Sequence, residues 1–356
     1  MHPFRLFAAA IALVALFAPP AGAQPAYDGY HRGVYLLFLN SPPAGEPRSV
    51  PPTLALSFGG EAVHAVMDTG STGIVVAASS IPDVDSLRTL GPGTLSYSSS
   101  GRIMRGRWVV TAATVAGANG ASITTRPLPV LAIDRIDCFQ NARDCQPTDH
   151  PRHVAMIGIG FAREADHQAQ STPDKNPFLN LPGMGDGRQP GTMRRGYVVT
   201  REGVHVGLTA ANTRGEYRYV KLAKAADGGD WSPLPACIAL DRGTSACGTA
   251  LVDTGVSVMY LTVPPDRQAG HIDPASGQTL APGTRVTIRM GTDGSARSPA
   301  YGFAAGDTGD PAAPARIVLV QGNQRPTFVN TSVHALNVFD YLFDADAGYV
   351  GFRRVR

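Results

Sequence analysis

Apolar residues along this chain come in short runs broken by Gly, Pro, Ser and Asp, a pattern that predicts strands and turns. Two of the runs share a layout: Ala65-Val66-Met67-Asp68-Thr69-Gly70-Ser71-Thr72-Gly73-Ile74-Val75-Val76 and Ala250-Leu251-Val252-Asp253-Thr254-Gly255-Val256-Ser257-Val258-Met259-Tyr260-Leu261. Each predicts strand, tight turn, strand, with a carboxylate at the tip. Residues 54–58, Gly59-Gly60 and 62–67 predict a hairpin leading into the first. Strands are expected at 33–39, at 107–115 after a polar hairpin tip over 95–101, and at 153–160. The Pro- and Gly-rich stretch 163–195 predicts loops with one short helix near 177–181. Further strands are expected at 196–200, 204–208, 217–222, 237–240 and 249–252, long loops over 291–313, and a closing strand pair over 338–352. In that pair, residues 344–348 form the turn, and Asp344 and Asp346 are read as turn formers rather than acids.

An apolar strand that ends in Asp is a costly place for a charge unless the carboxylate has a partner. Two such tips facing each other remove the difficulty, because the pair can share one proton and titrate as a unit. One carboxyl is then a general base and the other a general acid. The glycine after each threonine permits the turn and a close approach by substrate.

On these residues the sequence resembles the pepsin-like, two-lobed aspartic proteases. The signatures stand 185 residues apart (68 and 253), one in each half, which suits two lobes in a single chain better than a one-signature subunit that must dimerise. The resemblance implies an all-β, bilobal fold with an N-terminal lobe over 24–200, a C-terminal lobe over 201–356, and a cleft between them. It implies catalytic roles for Asp68 and Asp253, with Thr69, Gly70, Ser71, Thr254 and Gly255 supporting the two loops. Tyr97 is its candidate for the tyrosine of a flap hairpin closing over substrate. Met156-Ile157-Gly158 matches the family's apolar-apolar-Gly element, and 338–352 matches its closing strands. The implied activity is endopeptidase hydrolysis of a peptide or unfolded protein by a water held between the carboxyls, in a monomer with no metal or organic cofactor. The rival reading is a catalytically silent relative that binds peptides or a protein partner in the same cleft.

Several positions depart from the family pattern. Three residues after each catalytic Asp a hydroxyl is usual; Ser71 fits and Val256 does not. A carboxylate that loses a hydrogen bond to its charged form has a raised pKa, so activity is expected to extend to less acidic pH. Val75 stands where many members carry a tryptophan that bonds the flap tyrosine, and Asn330-Thr331-Ser332 replaces the second apolar-apolar-Gly. Arg102, Arg105 and Arg107 lie on or beside the expected flap and could favour acidic substrate side chains.

Composition narrows the setting. At 356 residues the chain is long enough for two cores, and its small net charge of +3, not clustered, argues against nucleic acid or an anionic surface as partner. Residues 1–23 read as a signal peptide: Arg5, an apolar run over 6–17, and Ala21-Gly22-Ala23 at the cleavage site. No later run approaches the length of a membrane span, so a periplasmic or secreted protein is expected. Only about ten residues separate that cleavage site from the first expected strand, too few for a long inhibitory pro-segment. Four cysteines in an exported chain suggest two disulfides, for which three connectivities exist; local spacing favours Cys138 with Cys145 and Cys237 with Cys247. A zinc site is disfavoured because no two cysteines stand at two-residue spacing, and His150 and His153 lack a third ligand.

Overall fold

Period-two alternation becomes strands along most of the chain. In Thr53–Ser57 the side chains of Leu54 and Leu56 are buried and their neighbours half-exposed, while all six residues of Thr72–Ala77 are buried because that strand is covered on both faces. A computed structural model of the chain describes residues 25–355, apart from 98–99, 141, 143–144, 165–170, 188, 292–297 and 323–324. The fold is all-β; the one α-helical segment among the described residues is the four-residue Pro265–Gln268.

The strands form three sheets. A ten-stranded sheet is built from strands between Thr53–Ser57 and Ala155–Ile159 and carries the first signature. A seven-stranded sheet spans Leu234–Leu240 to Phe328–Asn330 and carries the second. The six-stranded sheet takes Val34–Leu37, Arg194–Val199 and Gly203–Leu208 from the first part of the chain and Tyr217–Lys221, Phe339–Asp344 and Tyr349–Arg354 from the second.

The two larger sheets repeat one local topology. In the first, Ala155–Ile159 inserts between the arms of the signature, parallel to Val63–Asp68 and antiparallel to Thr72–Ala77. In the second, Phe328–Asn330 inserts the same way, parallel to Ala246–Leu251 and antiparallel to Met259–Thr262. An outer strand then runs parallel to the outgoing arm in each: Leu128–Cys138 beside Thr72–Ala77, and Ile317–Leu319 beside Met259–Thr262.

Both expected disulfides are present. Cys237 and Cys247 face each other on one antiparallel rung, with Cα atoms 3.9 Å apart, and Cys138 is bonded to Cys145. Asp344 is fully buried and accepts the backbone N–H groups of Asp346 (3.1 Å) and Ala347 (3.0 Å), as a turn former does; Arg194 and the Tyr27 hydroxyl also donate to it. The helix expected near 177–181 is a single 3-10 turn, Pro177–Leu179.

Two expectations change. The composition of residues 291–313 predicts loop, but Ala300–Ala304 is a strand of the second sheet, paired with Arg285–Met290. Its alternation is only five residues long, yet it buries Tyr301 and Phe303, enough to hold it on the sheet edge. The hairpin with its expected tip at 95–101 is longer: Thr89–Tyr97 pairs with Arg102–Thr111 despite Gly91-Pro92-Gly93. Thr89–Tyr97 is the sheet's outer strand, where a proline is tolerated, and Gly93 leaves room for the Trp108 indole and Leu131. No helix among the described residues is long and apolar enough to cross a membrane, and the signal-peptide reading at 1–23 lies outside them.

Candidate active site

Each signature places its threonine where only the other loop can satisfy it. The Thr69 backbone N–H donates to Thr254 Oγ1 (3.0 Å), and the Thr254 N–H donates to Thr69 Oγ1 (3.0 Å). In turn Thr69 Oγ1 donates to the Val252 carbonyl (2.5 Å) and Thr254 Oγ1 to the Met67 carbonyl (2.8 Å). Both threonines are buried, so these four bonds replace water that neither loop could reach. Two turns 185 residues apart are thereby fixed against each other by a reciprocal lattice.

That lattice brings the carboxyls together. A Cβ added to Gly70 would lie 2.4 Å from Asp253 Cγ and within 2.6 Å of both carboxyl oxygens. A Cβ on Gly255 would lie 2.5 Å from Asp68 Cγ. Each carboxyl therefore sits against the glycine of the opposite signature, a contact closed to any residue with a side chain. Asp68 Oδ1 accepts the Gly70 N–H (2.6 Å) and Oδ2 accepts the Ser71 hydroxyl (2.6 Å). Asp253 Oδ1 accepts the Gly255 N–H (2.8 Å).

For the remaining Asp253 oxygen, the structure corrects the sequence reading. Val256 implies a carboxyl short of a donor, but Asn330 Nδ2 donates to Oδ2 at 2.5 Å. Asn330 belongs to the very tripeptide that departs from the family pattern. A polar residue inside a buried strand calls for a partner, and that rule could have flagged it; nothing in the sequence says which partner.

Burial raises the Asp253 pKa from the ordinary 3.8 to about 8, the charge of Asp68 adds to the rise, and the Asn330 and Gly255 donors oppose it. Burial therefore favours the protonated form of Asp253. The rise comes from desolvation and a like charge; the missing hydrogen bond expected from Val256 is not missing, because Asn330 supplies it.

Tyr97 ends the strand Thr89–Tyr97, half-buried, with its hydroxyl 3.1 Å from Met156 Sδ. Met156 Sδ in turn lies 3.5 Å from Ser71 Oγ, the hydroxyl that serves Asp68. Burial pushes the Tyr97 phenol well above its usual range, and Asp68 pushes the same way, so the group beside the carboxyls is a neutral O–H. No tryptophan occupies position 75; instead Val75, Leu95 and Trp108 form an apolar cluster against which Tyr97 and Met156 pack.

Two of the three arginines of this hairpin, Arg105 and Arg107, are paired elsewhere. Arg105 and Arg135 share Asp137, and Arg107 bridges Asp85 and Asp134, so the suggestion that Arg105 and Arg107 select acidic substrates loses its basis. Among the described residues no group of three or more His, Cys, Asp or Glu is placed to hold a metal ion.

Chemically, the site is a pair of buried carboxyls, each against the other loop's glycine, with donors locking both side chains and an aromatic hydroxyl alongside. Such a pair can remove a proton from a bound water on one side and protonate a carbonyl oxygen on the other. No protein-family model matches the chain, and no curated protein matches it at a significant level.

Proposed function

We propose that this chain is a pepsin-like, two-lobed aspartic endopeptidase, exported through its leader and acting on extended peptide segments. The observation that carries the reading is the reciprocal seating of each carboxyl on the other signature's glycine, reinforced by the crossed threonine bonds. The repeated topology of the two larger sheets supports two related lobes, and the two disulfides are compatible with an oxidising compartment.

Asp68, as the base, takes a proton as the bound water attacks the peptide carbonyl carbon, and Asp253 gives its proton to the carbonyl oxygen. The product is a neutral gem-diol. On collapse Asp68 returns its proton to the leaving nitrogen, the C–N bond breaks, and Asp253 recovers a proton from a diol hydroxyl, so the pair ends with one proton as it began. Ser71, Gly70, Gly255 and Asn330 hold the two carboxyls at fixed angles throughout. Tyr97 covers the Asp68 side with a neutral donor.

Catalysis requires one proton on the pair, so activity falls as pH rises through the raised Asp253 value, about 8. On this reading the working range extends to less acidic pH than a carboxyl of ordinary pKa would give.

The test is digestion of a denatured protein library from acid to neutral pH. Internal cleavage is expected, lost in Asp68→Asn and blocked by a peptide analogue carrying a tetrahedral hydroxyl centre. If the wild-type chain cuts nothing at any pH yet binds that analogue, the silent cleft-binding protein is the correct account.

A further inference from the structure

We propose that Asn330 is a positioning residue for Asp253, doing from the inserted strand what Ser71 does for Asp68 from within its own loop. This inference rests on the aspartic-protease reading for its catalytic meaning, though its geometry is independent of it.

The equivalence follows from strand register. Met156 lies opposite Val66 and Val75, which stand two residues before and seven after Asp68. Asn330 lies opposite Leu251 and Tyr260, which stand two before and seven after Asp253. The two side chains therefore occupy one place in a repeated frame. In the first half the donor is Ser71, and Met156 only offers its sulfur to that hydroxyl as an acceptor (3.5 Å). In the second half Val256 holds the serine's place and cannot donate; the amide of Asn330 makes the bond instead.

The amide is also oriented. The Ser332 N–H donates to Asn330 Oδ1 (3.0 Å), which assigns the carbonyl end and leaves the NH2 for the carboxyl. Ser332 adopts φ +58°, a left-handed conformation uncommon outside glycine, and its hydroxyl caps the 3-10 turn Val333–Asn337 through the His334 N–H. The backbone turns sharply there and presents that N–H to the amide.

Titration of Asp253 reads the role. The titratable groups facing it are Asp68 from the opposite loop and Tyr97 from the hairpin, with Arg163 acting on Tyr97; all are retained in the variants below. A hydrogen bond to a charged group favours the charged form, so losing Asn330 raises the Asp253 pKa further, by about one unit.

The experiment follows the dyad by 13C NMR of aspartate Cγ, which needs no turnover, alongside the pH dependence of kcat. Asn330→Met, which copies the first half, is expected to move the upper titration and the alkaline limb of kcat upward by about one unit and to lower kcat about tenfold. Val256→Ser combined with Asn330→Met rebuilds the Ser71–Met156 arrangement and is expected to restore both. A folded Asn330→Met with unmoved titration overturns the proposal, as does a double variant that stays shifted. Should Asn330→Met fail to fold, Asn330→Ala is read by the same titration with the same two outcomes. Absence of cleavage by the wild type would remove the protease reading, while the NMR titration would still decide whether Asn330 positions Asp253.

Discussion

The two signature loops are alike in frame and unlike in chemistry. Strand in, turn, strand out, with a third strand inserted between the arms, is the same at Asp68 and Asp253. So are the threonine bonds and the glycine contacts, each of which needs its counterpart to exist. The second donor to each carboxyl differs: a hydroxyl three residues downstream in one half, an amide 77 residues away in the other. Features that cross between the loops are held in common, because changing one side alone would break both. A donor that serves one carboxyl is free to come from any atom the frame puts within reach.

The largest expected effect removes the symmetry of the pair itself. Asp68→Asn takes away the base and should lower kcat by about 10³-fold or more, measured on a peptide identified from the library digest. Asp253→Asn should do the same, and a tenfold gap between them would show that one carboxyl works largely alone. Next, Gly70→Ala drives a methyl into Asp253 and Gly255→Ala one into Asp68; displacement of the reacting group by such a contact should cost about 10²-fold in kcat. If alanine is accepted at either position without loss, the carboxyls do not rest where the glycines place them.

Smaller effects test the brace. Thr254→Val leaves the Thr69 N–H and the Met67 carbonyl buried without their partner and should cost about 3 kcal/mol in chemical denaturation; Thr69→Val should match it. Unequal costs would mean that one loop carries the other. The smallest is a slope with pH. Asp253 has a raised native pKa, so the native state keeps a proton that the unfolded chain releases near 3.8. Stability is then fully present below that value and declines as pH rises toward about 8. Denaturation midpoints across that window should show the decline, and Asp253→Asn should flatten it.

What could be read in advance was whatever is local in sequence. The two Asp-Thr-Gly turns, the Cys237–Cys247 rung and the turn-forming role of Asp344 each follow from residues at most ten apart. Asn330 could not be assigned, because its contact arises only when a distant strand is threaded between the signature's arms. The partners of Arg105 and Arg107 were hidden for the same reason: Asp137 and Asp134 belong to the neighbouring strand Leu128–Cys138 and reach them only through cross-strand register. Ala300–Ala304 is not legible because five residues of alternation lie below what a pattern can distinguish from a loop.

The hairpin that carries Tyr97 is held along its other edge as well. Its inner strand, Arg102–Thr111, is laddered to Leu128–Cys138 all the way from Thr111 opposite Leu128 to Arg102 opposite Cys138, the residue that the sulfur bridge ties to Cys145. Beyond the ladder the Phe139 N–H still reaches the Gly101 carbonyl at 2.8 Å. A hairpin whose inner strand is secured along its length in this way cannot swing as a loose arm hinged at its base. Any displacement of Tyr97 drags the adjoining strand with it, so the hairpin travels as a stiff panel, and the work of moving it is set by the sheet rather than by two strands alone.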